Sequence, residues 1–139
     1  MKNKATIIPT MCYKDAPEAI EWLCRAFGFE KNLVVPGEND GIVHAQLRLG
    51  DAMIMLSSER DNEFGKLVKT PEQLNGINTM TPYLIIEKID EHYRKAVDAG
   101  AEIVLDIKDE DYGGRGYTCR DLEGYIWNFG SYDPWKETA

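Results

Sequence analysis

The sequence predicts an α+β domain built from one β-α-β-β-β module written twice in tandem. Three observations carry this reading. The chain matches itself at a shift of about 73 residues, so that Gly50-Asp51-Ala52-Met53-Ile54-Met55-Leu56 falls on Glu123-Gly124-Tyr125-Ile126-Trp127-Asn128-Phe129, each a turn followed by an alternating strand. Each copy opens with a β-like run leading into an amphipathic helix, and each helix is followed by three strand-like runs separated by turn residues. The length of 139 residues, with 43% hydrophobic and 29% charged side chains, is that of a single domain that can bury a core without disulfides or a structural metal.

Module one spans about residues 5–58. Its first strand lies within Ile7 to Tyr13. Asp15 is the expected cap of the first helix, with Glu18 three residues on and Pro17 in the first turn. Ile20, Leu23, Cys24 and Phe27 form its apolar stripe, and Gly28 ends it. Strands follow at about Lys31–Val35, Ile42–Leu49 and Ala52–Ser58, divided by the turn residues 36–41 and by Gly50-Asp51. A polar linker of residues 59–78, without periodicity, leads to module two at about 79–133; a loop that long commonly has a role of its own. Module two repeats the order: a strand within Met80 to Glu87, a helix capped by Asp90 with Ile89, Tyr93, Ala96 and Val97 as its stripe, then strands at about Glu102–Ile107, Gly116–Asp121 and Tyr125–Tyr132.

Composition narrows the function classes. The formal charge is -8 and falls almost wholly on the second half; with no basic stripe, the field repels phosphate backbones, so no nucleic acid partner is expected. The longest stretch free of Asp, Glu, Lys and Arg runs from Gln73 to Ile86, too short and too polar for a bilayer span; no membrane partner is expected. Three cysteines without a CxxC pair fit a reducing, cytoplasmic setting as structural thiols.

Four segments, in order, resemble the vicinal oxygen chelate superfamily, which includes glyoxalases, bleomycin-resistance proteins and extradiol dioxygenases. They are Tyr13-Lys14-Asp15-Ala16-Pro17-Glu18 through Ala26-Phe27-Gly28-Phe29, then His44-Ala45-Gln46-Leu47-Arg48-Leu49-Gly50-Asp51, then Asp98-Ala99-Gly100-Ala101-Glu102, and last Tyr112-Gly113-Gly114-Arg115-Gly116-Tyr117 with Arg120-Asp121-Leu122-Glu123-Gly124-Tyr125-Ile126-Trp127. The resemblance implies that the two modules curl their sheets around a shared cavity, and that the chain is a homodimer.

Strand parity selects the cavity face, because alternate side chains point to opposite sides of a sheet. In module one the consistently apolar set is Ala45, Leu47, Leu49, Ile54 and Leu56. His44, Gln46, Arg48, Met53, Met55 and Ser57 then face the cavity. The 73-residue shift puts Tyr117, Cys119, Asp121, Ile126 and Asn128 on the cavity face of module two, with Leu122, Tyr125, Trp127 and Phe129 in the core. In the opening strands the same logic selects Pro9, Met11 and Tyr13, and Thr81, Tyr83 and Ile85, subject to a register slip that would flip the set.

Metal-binding members of the family place one ligand on the first and one on the last strand of each module, typically His, Glu or Gln. Those places fall here on Pro9, Met55, Thr81 and Asn128, which offer no hard anionic donor. No metal site and no cofactor are expected. The reading is metal-independent binding of a small organic molecule, cationic or aromatic, in a cavity lined by Met11, Tyr13, His44, Gln46, Met53, Met55, Tyr83, Tyr117 and Asn128, by analogy a bleomycin-resistance-like sequestering protein with no catalytic residue. The alternative is an enzyme: a metal-dependent glyoxalase-like lyase, isomerase or dioxygenase, or a metal-free isomerase in which His44 or Asp121 would act as a base.

Overall fold

The structure, a computed structural model, describes residues 5–136. Strand β1 (Thr10–Tyr13) and helix α1 (Ala16–Phe27) open the chain, followed by β2 (Glu30–Pro36), β3 (Ile42–Leu49) and β4 (Ala52–Ser58). After a long connection come β5 (Tyr83–Ile85), α2 (Ile89–Asp98), β6 (Glu102–Asp109), β7 (Arg115–Arg120) and β8 (Ile126–Gly130). The first sheet has the order β1-β4-β3-β2 and the second β5-β8-β7-β6. In each, the opening strand runs parallel to the last, and the remaining neighbours are antiparallel. The tandem β-α-β-β-β plan is therefore observed.

Local chemistry explains the first helix. The Asp15 carboxylate accepts from the Glu18 amide at 3.2 Å, satisfying one of the amides that a helix start leaves without a partner. Gly28, at φ 87°, closes the helix in the left-handed conformation and donates its N–H to the Cys24 carbonyl. The second helix departs from expectation. It is capped by Lys88 with no side-chain bond, and Asp90 lies inside its first turn, where its charge still favours the positive end of the helix dipole. Its buried face is Ile89, His92 and Ala96, whereas Val97 is exposed.

One core serves both modules. Phe27 of α1 sits at its centre, with ring centroids 4.7 Å from Phe129 and 5.4 Å from Trp127 of the second sheet. His92 lies 4.4 Å from Phe129. Ala45, Leu47, Ile54 and Leu56 close the core from the first sheet. The Trp22 indole, midway along α1, donates to the Ala99 carbonyl at the C-terminal end of α2 at 2.7 Å, joining the two helices.

Two parity assignments are overturned. Thr10 and Cys12 pair with Met55 and Ser57, so Met11 and Tyr13 share the face of Leu56 and point to the core. Opening strand β1 is only the four residues Thr10-Met11-Cys12-Tyr13, too short for its alternation to select a face. The second error has a clear geometric source. The β3–β4 hairpin closes with Leu49 opposite Ala52, two residues apart in loop length, whereas the β7–β8 hairpin closes with Arg120 opposite Ile126, leaving the five-residue loop 121–125. A uniform shift that aligns β8 is thus one residue out in β7. Tyr117, Cys119 and Asp121 are buried in the core, and Thr118 takes the face shared with Asn128. Leu122, expected in the core, is exposed on that longer loop, and Tyr125 is only half-buried.

Candidate functional site

An open cavity of about 1000 Å³ lies on the outer face of the first sheet. Its floor is formed by Thr10 and Cys12 of β1, Met53, Met55 and Ser57 of β4, and His44 of β3, which the strand registers place on one side. The connection between the modules forms the roof, contributing Phe64, Val68, Leu74, Ile77 and Met80. Pro82, Tyr83 and Ile126 make the far wall. The second module therefore supplies an edge of the cavity, and the connection supplies much of the rest.

The roof is held at both ends. Arg60 donates to the Val43 carbonyl. The Asn78 side chain donates to the Gly124 carbonyl at 3.0 Å and accepts from the Ile126 amide at 3.0 Å, while the Arg120 guanidinium donates to the Gly76 carbonyl at 2.9 Å. Between these anchors lie short 3-10 turns at Gly65–Leu67 and Glu72–Leu74; Leu74 of the second lines the cavity, whereas Leu67 of the first is exposed and stands outside the lining. Thr70 is buried and its amide donates to the Gln73 side chain at 2.8 Å.

The sequence-selected residues divide into four groups. His44, Met53, Met55 and Tyr83 line the cavity as expected by parity. Gln46 shares their face but bonds His44 at 3.1 Å and Asn32 at 2.8 Å and stands outside the lining. Asn128 also has the expected parity, yet its side chain is taken up by Thr81, Pro82 and Thr118 at 2.8–3.0 Å. Met11, which touches the cavity, packs on the core, and Tyr13 and Tyr117 are buried in it.

Tyr13 and Tyr117 have structural partners instead. The Tyr13 hydroxyl donates to Asp121 Oδ2 at 2.6 Å, and the same oxygen accepts from the Trp127 indole at 3.0 Å. Asp121 Oδ1 accepts from the amides of Glu123 and Tyr125. Desolvation nevertheless raises the Asp121 carboxyl above its ordinary value, with those hydrogen bonds opposing the shift. Arg48, at the far end of β3, pairs with Glu30 at 3.8 Å. Burial pushes the Cys119 thiol up to about 12, which keeps it protonated and unreactive.

The family-implied metal positions do not supply a ligand set. Met55 offers a thioether, Thr81 and Asn128 bond each other, and Thr10 stands beside Met55 where Pro9 was expected. Among the described residues, no three of His, Cys, Asp and Glu come together. Besides Cys12 and the tyrosines Tyr83 and Tyr125, the ionisable groups of the lining are His44, Glu59, Arg60 and Lys69, a mixed set. The roof residues Phe64, Ile77 and Met80 were not selected from sequence. Their signal was the presence of large apolar side chains in a polar, aperiodic segment.

The family model described as Glyoxalase/Bleomycin resistance protein/Dioxygenase superfamily matches residues 7–129. An uncharacterized protein of Mycobacterium bovis is 30% identical over 122 residues, covering 88% of this chain and 80% of its own length. Among solved structures, TioX from Micromonospora sp. ML1 is 30% identical with a TM-score of 0.72, covering 91% of this chain and 97% of TioX. The fosfomycin resistance protein FosX from Mesorhizobium loti shares the fold at 10% identity and a TM-score of 0.64, with 96% of each chain covered.

Proposed function

Because the chain belongs to the glyoxalase/bleomycin resistance protein/dioxygenase superfamily, we propose that it binds a small organic molecule in the cavity on its first sheet without a metal, as a sequestering protein. The observation that carries this reading is the cavity itself. It has a volume of about 1000 Å³ and walls of methionine, aliphatic and aromatic side chains with a few polar groups, as small-molecule sites do. Met53 and Met55 can adapt to an irregular ligand, and Tyr83 offers a ring for stacking. Affinity would come from apolar burial.

In this reading the protein is a cytoplasmic homodimer. Free Cys12, Cys24 and Cys119 support the reducing compartment. The partner surface is supported by Ile85 and Leu105, 41% and 63% exposed on the second sheet. No helix among the described residues is long and apolar enough to cross a membrane.

The test uses N-phenyl-1-naphthylamine, a neutral fluorescent probe. It should bind saturably at one site per chain, and Met55→Trp, which fills the floor, should weaken it at least about tenfold while leaving the melting transition in place. Unchanged binding by that variant would remove the cavity assignment. In parallel, metal per chain is measured by elemental mass spectrometry after soaking in Zn, Ni, Mn and Fe(II). Stoichiometric retention would replace sequestration by a metal-dependent lyase, isomerase or dioxygenase.

A further inference from the structure

The end of the second sheet beyond Tyr83 carries a cluster that the cavity reading leaves unused. The Tyr83 hydroxyl donates to the Tyr132 carbonyl at 2.7 Å. Tyr132 and Tyr112 meet edge to face, with ring centroids 4.9 Å apart and planes at 81°. Tyr83 and Tyr112 remain 41% and 60% exposed. Two glycines border the cluster, one against the Tyr83 ring and one against the Tyr132 backbone. A Cβ at Gly130 would lie 2.6 Å from the Tyr83 hydroxyl, and one at Gly114 would lie 2.7 Å from the Tyr132 amide nitrogen, so neither position admits a side chain without moving the cluster.

Charge is distributed one-sidedly around these rings. Glu110 sits at the tip of the β6–β7 hairpin, and Asp133 directly follows Tyr132; both act electrostatically on the Tyr83 hydroxyl. Neither is paired with a basic side chain among the described residues. Arg115, the cation of that hairpin, is committed to Asp90 and Asp109. Tyrosine faces attract cations through the ring quadrupole, and unpaired carboxylates add to the attraction. An anion would meet two negative charges here, and a purely apolar group would gain only partial burial.

We propose that Tyr83, Tyr112 and Tyr132, backed by Glu110 and Asp133, form a subsite for an organic ammonium group at the rim of the cavity. The subsite rests on the cavity-binding reading, because Tyr83 is also a wall of that cavity. A ligand spanning both would lay its apolar body over Met53 and Met55 and direct its cationic arm past Tyr83 to the hairpin tip. The acidic run 106–111 then has a use, steering that arm toward the rings.

The experiment titrates the full chain with choline and, separately, with its neutral isostere 3,3-dimethylbutan-1-ol, following tyrosine ring resonances by NMR. Choline should shift Tyr83, Tyr112 and Tyr132 saturably and bind at least about tenfold more tightly than the isostere. Tyr112→Leu, which keeps apolar bulk but removes the ring face, should weaken choline about fivefold. The surface pair Glu110→Gln and Asp133→Asn should weaken it at least about threefold and flatten its salt dependence. Equal binding of choline and the isostere overturns the subsite. So does the absence of choline shifts in protein that still takes up N-phenyl-1-naphthylamine, including the case in which a second copy covers the rings. Loss of both probes takes the cavity reading down with it.

Discussion

Acidification should destabilise this protein through His92. The side chain is 9% exposed, with Nε2 2.8 Å from the Phe27 carbonyl and Nδ1 2.7 Å from the Tyr117 hydroxyl. A carbonyl only accepts, so Nε2 carries the proton, and Nδ1 accepts from Tyr117. Protonating Nδ1 would place a second donor against that hydroxyl and a charge among Phe27, Phe129 and Tyr117. Desolvation accordingly lowers the His92 value from 6.5 to about 4, with the Phe27 carbonyl bond opposing it. The unfolded chain takes up the proton first. The contribution is complete above pH 6.5 and is lost as the pH falls toward 4, below which nothing more is lost. That interval corresponds to about 3 kcal/mol. With a urea slope of about 2 kcal/mol per molar, the wild-type midpoint should drop by about 1.5 M relative to a His92→Gln control over the same range. The control is needed because carboxyls raised by burial, Asp121 and Glu123, favour the folded state as they protonate. Parallel pH profiles for the two proteins, or an NMR titration of His92 near 6.5 in the folded state, would refute the argument.

Three further substitutions test the packing. Phe27→Ala removes the ring by which α1 of module one packs on Trp127 and Phe129 of the second sheet and should cost about 3–5 kcal/mol in chemical denaturation; a loss below 1 kcal/mol would mean that the modules do not share a core. Tyr13→Phe leaves Asp121 one donor short and should cost about 1–2 kcal/mol, read as a lower melting temperature with an unchanged fold by circular dichroism. Asp15→Ala should cost about 1 kcal/mol by uncapping α1, with Asp15→Ser recovering most of it and Asp15→Ala indistinguishable from wild type being the contrary result.

Where a strand was long and closed by a tight turn, the sequence specified both its limits and its faces. Ile42–Leu49 and Ala52–Ser58 occur as read, because Gly50-Asp51 fixes the register and the apolar residues alternate. Helix α1 was legible for a similar reason: the cap, stripe and terminating glycine agree. The four-residue β1 has no such redundancy, and Met11 and Tyr13 were placed on the wrong face. Tyr117 was misplaced because self-similarity aligns residues without reporting a change in loop length. The roof of the cavity was illegible, since it is held by side chains that bond distant carbonyls, as Arg120 does to Gly76, and such partners leave no periodic trace. The burial of His92 leaves no periodic trace either, since it is made by Phe27 of the other helix together with Tyr117 and Phe129 of the second sheet.

The five-residue β7–β8 loop does more than offset a register. Asp121 reaches Tyr13; the Glu123 carboxylate accepts from the Lys14 and Asp15 amides at 2.6 and 2.8 Å; the Tyr125 hydroxyl donates to the Cys12 carbonyl at 2.8 Å. Three alternate residues of one loop thus grip four consecutive residues of the other module, at the junction where β1 turns into α1. The matching turn in module one, Gly50-Asp51, is too short to return the grip. The duplicated plan is therefore polar rather than interchangeable: the second half carries a clasp and the first half carries the catch. Two copies of the first half would lack these bonds, so it is the difference between the halves, as much as their likeness, that makes the chain one body.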